Sequence, residues 1–178
     1  MGKYTSFTVL FLVSGLSCAR EHPSRPSPAG GNAAARPGVV EIDPAASPKP
    51  AVEQRVYVPA YSHIFTADDA RPYNLAVTLS IRNTQDARPI VVTSVRYYDQ
   101  DGRLVRHYVK RPLKLAPLAS VDFFVKESDT SGGSSASFLV EWSAEQHVTQ
   151  PVIEAVMIGT AGTQGISFVC PGRVPSHP

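Results

Sequence analysis

Residues 127–142, ESDTSGGSSASFLVEW, gather the chain's densest set of groups that could do chemistry. Two carboxylates, Glu127 and Asp129, precede the hydroxyls of Thr130 and Ser131 and a glycine pair, Gly132 and Gly133. Exposed glycine amides can cradle a phosphate. Such a loop gains most when it opens a helix whose N-terminus faces the anion, and SASFLVEW reads as a strand. No lysine follows the glycines, and no Gly-x-Ser-x-Gly elbow is present. A turn rich in Asp, Thr and Ser hydrogen-bonds its own backbone. The stretch is therefore expected to turn the chain. Asp129, Thr130 and Ser131 are its candidates for contact with a ligand or partner.

Other clusters are weighed the same way. DQDG, Asp99–Gly102, starts like a calcium loop but lacks the further acids and the bidentate Glu that the ion needs. It reads as a hairpin turn. YSHIFTADDA brings Tyr61, His63, Asp68 and Asp69 close in sequence. Tyr61 and His63 join the candidates for ligand or partner contact. The remaining histidines, His107, His147 and His177 among them, are scattered, so no metal site and no cofactor are expected. A Ser-His-Asp set can be drawn on paper, but no strained nucleophile turn supports it. No enzyme is expected. Arg96, Arg103, Arg106, Lys110, Arg111 and Lys114 make one hairpin basic; such a strip blunts a sheet edge or meets an anionic polymer or lipid head group.

The elements that must position these residues are strands. YNLAVTLSIRN alternates Tyr73, Leu75, Val77, Leu79 and Ile81 with smaller and polar residues, as a half-buried antiparallel strand requires. SVDFFVKE puts Val121, Phe123 and Val125 on one face, and SFLVEWSA does so for Phe138, Val140 and Trp142. RVYVPA carries Pro59, which places it at an edge or an end. PIVVTSVRYYD and RLVRHYVK flank DQDG as a hairpin. VIEAVMIG, apolar on both sides except Glu154, suits a central position, and GISFV follows. KLAPLAS at 114–120 reads as a loop. About eight short strands without a helix predict an all-β, two-sheet antiparallel sandwich, Ig-like or fibronectin-like, over 55–173. The Cys pair around a Trp that marks true Ig domains is absent, and a barrel stays open as an alternative.

Ahead of that domain the composition changes. Seven of the 16 prolines fall between Arg20 and Gln54, and the stretch lacks the apolar density that offsets ordering entropy. Residues 20–54 are expected to be a disordered linker, and 174–178 a flexible tail. From Arg55 onward 12 Lys/Arg stand against 11 Asp/Glu, a net of +1. That balance argues against nucleic acid as a partner, since counterion displacement needs a basic face. Lys3, the apolar run Phe7–Leu16 and the small residues behind it form a secretory signal pattern over 1–19. GLSC resembles a bacterial lipobox with Cys18 as the acylated residue, although Gly15 and Ser17 stand where Leu and Gly or Ala are preferred. Cleavage after Ala19 and myristoylation at MGKYTS are alternatives. The expectation is export to the cell envelope, either anchored to a membrane by lipid on Cys18 or soluble in the periplasm. Cys170 is then the one thiol left, expected to be half-buried.

Five blocks in order, VYVPAYSHIF, LSIRNT, VTSVRYYDQDGRLVRHYV, PLASVDFFVKESDTSGGSSASFLVEW and IEAVMIGTAGTQGISFV, resemble an uncharacterised bacterial family, the DUF3124 domain of unknown function. The resemblance spans 56–173. It implies a preceding signal or lipoprotein peptide, and it brings no assigned activity or site residue. The reading that results is a non-catalytic binding or interaction module of the envelope. Its alternative is a small-ligand or metal-binding periplasmic domain that uses the loops around His63 and Asp129.

Overall fold

A computed structural model describes residues 36–46, 49–66, 71–160 and 165–175. Alternation along the chain becomes two antiparallel sheets packed face to face. The larger sheet has the strand order β1 (Val39–Glu41), β8 (Leu113–Leu115), β6 (Ile90–Tyr98), β10 (Ala136–Ala144) and β2 (Val52–Ala60), with β7 (Leu104–His107) also paired to β6. The smaller has the order β12 (Ile166–Pro171), β11 (Val152–Gly159), β5 (Ala76–Arg82) and β9 (Ser120–Val125). A short hairpin, β3 (His63–Phe65) with β4 (Pro72–Asn74), stands apart from both. The described residues contain no α-helix, only two 3-10 turns at Pro44–Ala46 and Gly133–Ser135.

The sequence phases hold. Leu75, Val77, Leu79 and Ile81 are fully buried, as are Val121, Val125, Phe138 and Val140. β11 lies between β12 and β5, the central place its two-sided apolar pattern suits. Pro59 sits on edge strand β2. Tyr57 turns both its backbone groups away from β10, toward Arg173, so residue 59, two positions on, points its ring nitrogen to the same open side. No ladder hydrogen bond is lost there. At DQDG, Gly102 takes φ +76° and its amide donates to the Asp99 carbonyl, closing the β6–β7 hairpin.

Three features depart from expectation. β1 forms within the segment read as a disordered linker, by pairing Val39–Glu41 with β8. β8 itself lies where part of a loop was expected. Strands of three residues are too short to show a period of two; β8 forms on the edge of the longer β6, and β1 on β8. With β3, which was not expected, and with YNLAVTLSIRN split into β4 and β5, the strand count among described residues is twelve, not eight. The third departure is a β-bulge. Glu141 pairs with Ser94 but Trp142 pairs with Val92, which leaves Thr93 over. The extra residue flips the phase of β6, so that Val92 and Val95 both face the core.

Trp142 is 1% exposed and is the largest fully buried side chain. Its Nε1 has no hydrogen-bond partner among the described residues, so what the described protein gives this side chain is packing. Trp142→Ala should cost about 3–5 kcal/mol in urea unfolding. Trp142→Phe should cost clearly less, because no hydrogen bond is lost with the indole; equal losses would show that the N–H is paired.

Candidate functional site

Three connections meet where β2, β6 and β9 end and β10 begins. They are the Tyr61–Ser62 link into the β3–β4 hairpin, the turn 99–103, and the loop 126–135. Backbone hydrogen bonds tie them together. The Ser62 amide donates to the Gly133 carbonyl at 3.0 Å, and the Gln100 amide donates to the Gly132 carbonyl at 3.1 Å. The Gln100 side-chain Oε1 accepts from the Ser134 amide at 3.3 Å. Beneath them the fully buried Tyr97 hydroxyl and the Ser62 hydroxyl share a hydrogen bond of 2.8 Å. Burial raises the Tyr97 hydroxyl above its ordinary pKa, against the opposing Ser62 hydrogen bond, so this group stays a neutral phenol.

The two glycines act differently. Gly133 takes φ +74°, a region that favours glycine. Gly132 has an ordinary φ of −77°, yet a Cβ there would land on the Tyr97 hydroxyl and come within 2.7 Å of Ala136 Cβ and Ser62 Oγ. One glycine is required by conformation, the other by space.

Asp129 is the electrostatic centre of the loop. Its Oδ1 accepts from the Ser131 hydroxyl at 2.5 Å and from the Ser131 amide at 3.2 Å. Its Oδ2 accepts from Arg106 Nη2 at 2.8 Å. Arg106 Nη1 donates to the Tyr108 hydroxyl at 3.0 Å, which donates to the Phe124 carbonyl at 3.2 Å. The Tyr108 ring packs on Phe123 and Phe138 of the core. Burial would raise the Asp129 carboxyl, but the Ser131 hydroxyl and amide and the Arg106 guanidinium outweigh it and hold the group below its ordinary value.

The candidate residues from the sequence fall into two groups. Asp129 and Ser131 touch, and exposed Thr130 accepts the Gly133 amide through its carbonyl. Tyr61 is half-buried with its ring edge-on to Phe168 at 5.7 Å. His63 lies in β3 with its ring 5.3 Å from Phe65, and its buried Nδ1 has no hydrogen-bond partner among the described residues. Ser62 joins the two groups through Gly133. Among the described residues no group of three or more His, Cys, Asp or Glu side chains could hold a metal. Cys18, Asp68, Asp69 and His177 lie outside the described residues. Cys170 is free and half-buried, and burial pushes its thiol pKa up.

Sequence reasoning missed Ser62, Tyr97, Gln100 and Tyr108, and it placed Arg106 in a basic strip without its partner Asp129. The period of two in RLVRHYVK puts Arg106 and Tyr108 on one face, but nothing local points to Asp129, 23 residues on. It missed a second feature as well. A groove of about 630 Å³ near the start of β2, on the outer face of the larger sheet, is lined among others by Glu53, Arg55, Thr93, Glu141 and Pro175. Glu141 there is paired with Arg55 at 3.0 Å and Arg96 at 2.7 Å.

The family described as protein of unknown function (DUF3124) matches residues 53–174, which takes in both sheets apart from β1 and every residue of the loop network. The chain belongs to this family. No curated protein matches it. The crystal structure of Thermotoga maritima 1070 is similar at 13% identity and a TM-score of 0.43, over 67% of this chain and 92% of that one.

Two outcomes follow. Gly132→Ala should destabilise by about 1–3 kcal/mol through overpacking and more than Gly133→Ala, where the nearest obstacle is the flexible Gln100 side chain; thermal melts rank them. The depressed Asp129 carboxyl stabilises the fold above the pKa of the unfolded carboxyl, about 3.9, and that contribution is lost as pH falls through the lower folded value. The stability difference between wild type and Asp129→Asn should therefore shrink from near pH 4 downward, and a difference independent of pH there would refute the linkage.

Proposed function

We propose that the protein is exported, anchored to a membrane by lipid on Cys18, and acts without catalysis as a binding module of the cell envelope. Its contact surface is the loop end that carries Tyr61, His63, Thr130 and Ser131. The observation behind this is the set of hydrogen bonds from Ser62 and Gln100 to Gly133 and Gly132, which makes three loops one preorganised surface. Preorganisation lowers the ordering cost of association. The main polar groups of the loop are already paired. Asp129 is held by Ser131 and Arg106, which leaves its carboxylate little capacity to work as a base.

A second reading, a small-ligand or metal site beside His63, has one observation in its favour, the buried Nδ1 without a partner among the described residues. A ligand or ion that donates no proton but accepts a lone pair, or a bound water, would satisfy it.

Growth with a clickable palmitate should label the wild type and leave Cys18→Ser unlabelled; an unlabelled wild type with Arg20 at its mature N-terminus would overturn the anchor. Full-length protein used as bait in envelope extracts should hold a partner that the folded His63→Ala/Ser131→Ala variant loses. Capture indifferent to those changes would remove the loop end as the contact surface. A zinc- or copper-dependent rise in Tm that His63→Ala abolishes would favour the second reading.

A further inference from the structure

VIEAVMIG is apolar on both sides except Glu154, the pattern of a strand covered on both faces. In the sandwich β11 has a core on one face only. Ile153, Ala155 and Met157 turn into it, while Val152 and Ile158 stay 42% and 46% exposed on the outer face of the smaller sheet. Phe124 of β9, at 52%, and Val169 of β12, at 51%, share that face. The register fixes this: Phe124 pairs with Thr78, Thr78 with Val156 and Val156 with Val169, so one mostly apolar row crosses all four strands. We infer that this face packs against the same face of a second copy of the chain, as a twofold dimer. The inference does not rest on export, on the anchor or on the loop-end surface.

The sizes of the outward side chains make the face complementary to itself. Those of β5 are short, Ala76, Thr78 and Ser80, and their partners on β11 are long, Ile158, Val156 and Glu154. A trough therefore runs beside a ridge. A twofold axis in the plane of the interface, parallel to the strands and midway between β5 and β11, lays the ridge of each copy in the trough of the other. Such a contact is isologous: where one residue meets a second, the second meets the first. Thr78 then meets Val156 and Ala76 meets Ile158, while on the flanks Phe124 meets Val169. Sheets packed in this way lie about 10 Å apart with their strands within roughly 30° of each other.

The charges agree with that axis. Within one copy Arg82 pairs with Glu154 at 3.0 Å, and Asp122 with Arg36 at 3.9 Å. Across the interface Glu154 of one copy meets Ser80 of the other and lies beside its Arg82, and Asp122 meets Pro171. No acid is set against an acid and no base against a base. An axis running across the strands would instead place Glu154 on Ile158 and bury its charge against a hydrocarbon side chain, which is costly.

The surroundings favour a second copy over a charged partner. Beyond the strand ends and at Asp122 stand Arg36, Lys126 and Arg173 against Asp86 and Glu127. With Arg82, Asp122 and Glu154 of the face itself, four cations balance four acids. A neutral surface has no field to select an acidic or a basic partner. The size of the face sets the strength of the contact. Four strands about 4.8 Å apart, over the seven residues of β5 at about 3.3 Å each, give a footprint of roughly 400 Å². Standard interfaces bury about 800 Å² of accessible surface on each partner, so the dimer is of the small, reversible kind.

The test co-expresses the full chain in bacterial cells with two different tags, and places p-benzoyl-phenylalanine at position 124, separately at 156 and, on the outer face of the larger sheet, at 57. Irradiation should give a species carrying both tags from 124 and 156 and not from 57. Peptide mass mapping should find the 124 adduct on β12 of the other copy and the 156 adduct on its β5. Unsubstituted chains fixed with formaldehyde should give the same doubly tagged species, which keeps the result independent of any effect of the probe on folding. Doubly tagged species formed equally from 57 or mapped to other strands, adducts to another protein or to lipid from 124 and 156, or single-tag species alone in both experiments would each overturn the inference.

Discussion

The hydrogen bond between the buried hydroxyls of Tyr97 and Ser62 constrains the whole loop end. A phenol carried into a core must find a partner, because an unpaired buried donor costs its full desolvation. Ser62 supplies it, which fixes the chain just after β2. That position lets the Ser62 amide reach Gly133 and its carbonyl take the Leu75 amide at 2.9 Å, so the hairpin β3–β4 is hung between the two sheets. The space above the two hydroxyls is then so small that residue 132 has room only for hydrogen. One polar contact thereby explains a glycine whose backbone angles any residue could adopt.

Around that point the charges are arranged to lock rather than to react. Arg106 lies between the Asp129 carboxylate and the Tyr108 hydroxyl, and Tyr108 in turn packs on Phe123 and Phe138. The loop is thus tied through one guanidinium to the aromatic core. A carboxylate with its lone pairs occupied by a cation and a hydroxyl is a structural anchor, and the side chains left available, Thr130 and the rings of Tyr61 and His63, are suited to contact. The same division recurs on the larger sheet, where Glu141 is shared by Arg55 and Arg96. Three of the six basic residues of the hairpin, Arg96, Arg103 and Arg106, are similarly paired, and Lys110, Arg111 and Lys114 are exposed.

The two ends and the two edges of the sandwich consequently differ in character. The loop end is polar and internally bonded. The β2 edge takes a short pairing from the C-terminal segment at Arg173. The β1–β9 edge receives the chain from the N-terminal side and carries bare leucine, valine and phenylalanine side chains.

The sequence by itself determined the long strands, their buried faces, the hairpin at DQDG and the turning role of residues 127–135. Those follow from local rules: alternation for Leu75 to Ile81 and for Phe138 to Trp142, and turn chemistry for Gly102 and Gly133. It pointed to both Tyr61–His63 and Asp129–Ser131 as candidates. Only the tertiary structure decided that Ser62 joins them, that Arg106 is the partner of Asp129, that Gly132 is required by space, and that β1 and β8 exist. Each of these depends on a residue far along the chain, and a side chain's or edge's partner across such a separation is chosen by packing, which leaves no periodic trace in the sequence. The bulge at Thr93 belongs to the same class, since two strands must be laid side by side before one residue can be found to be extra.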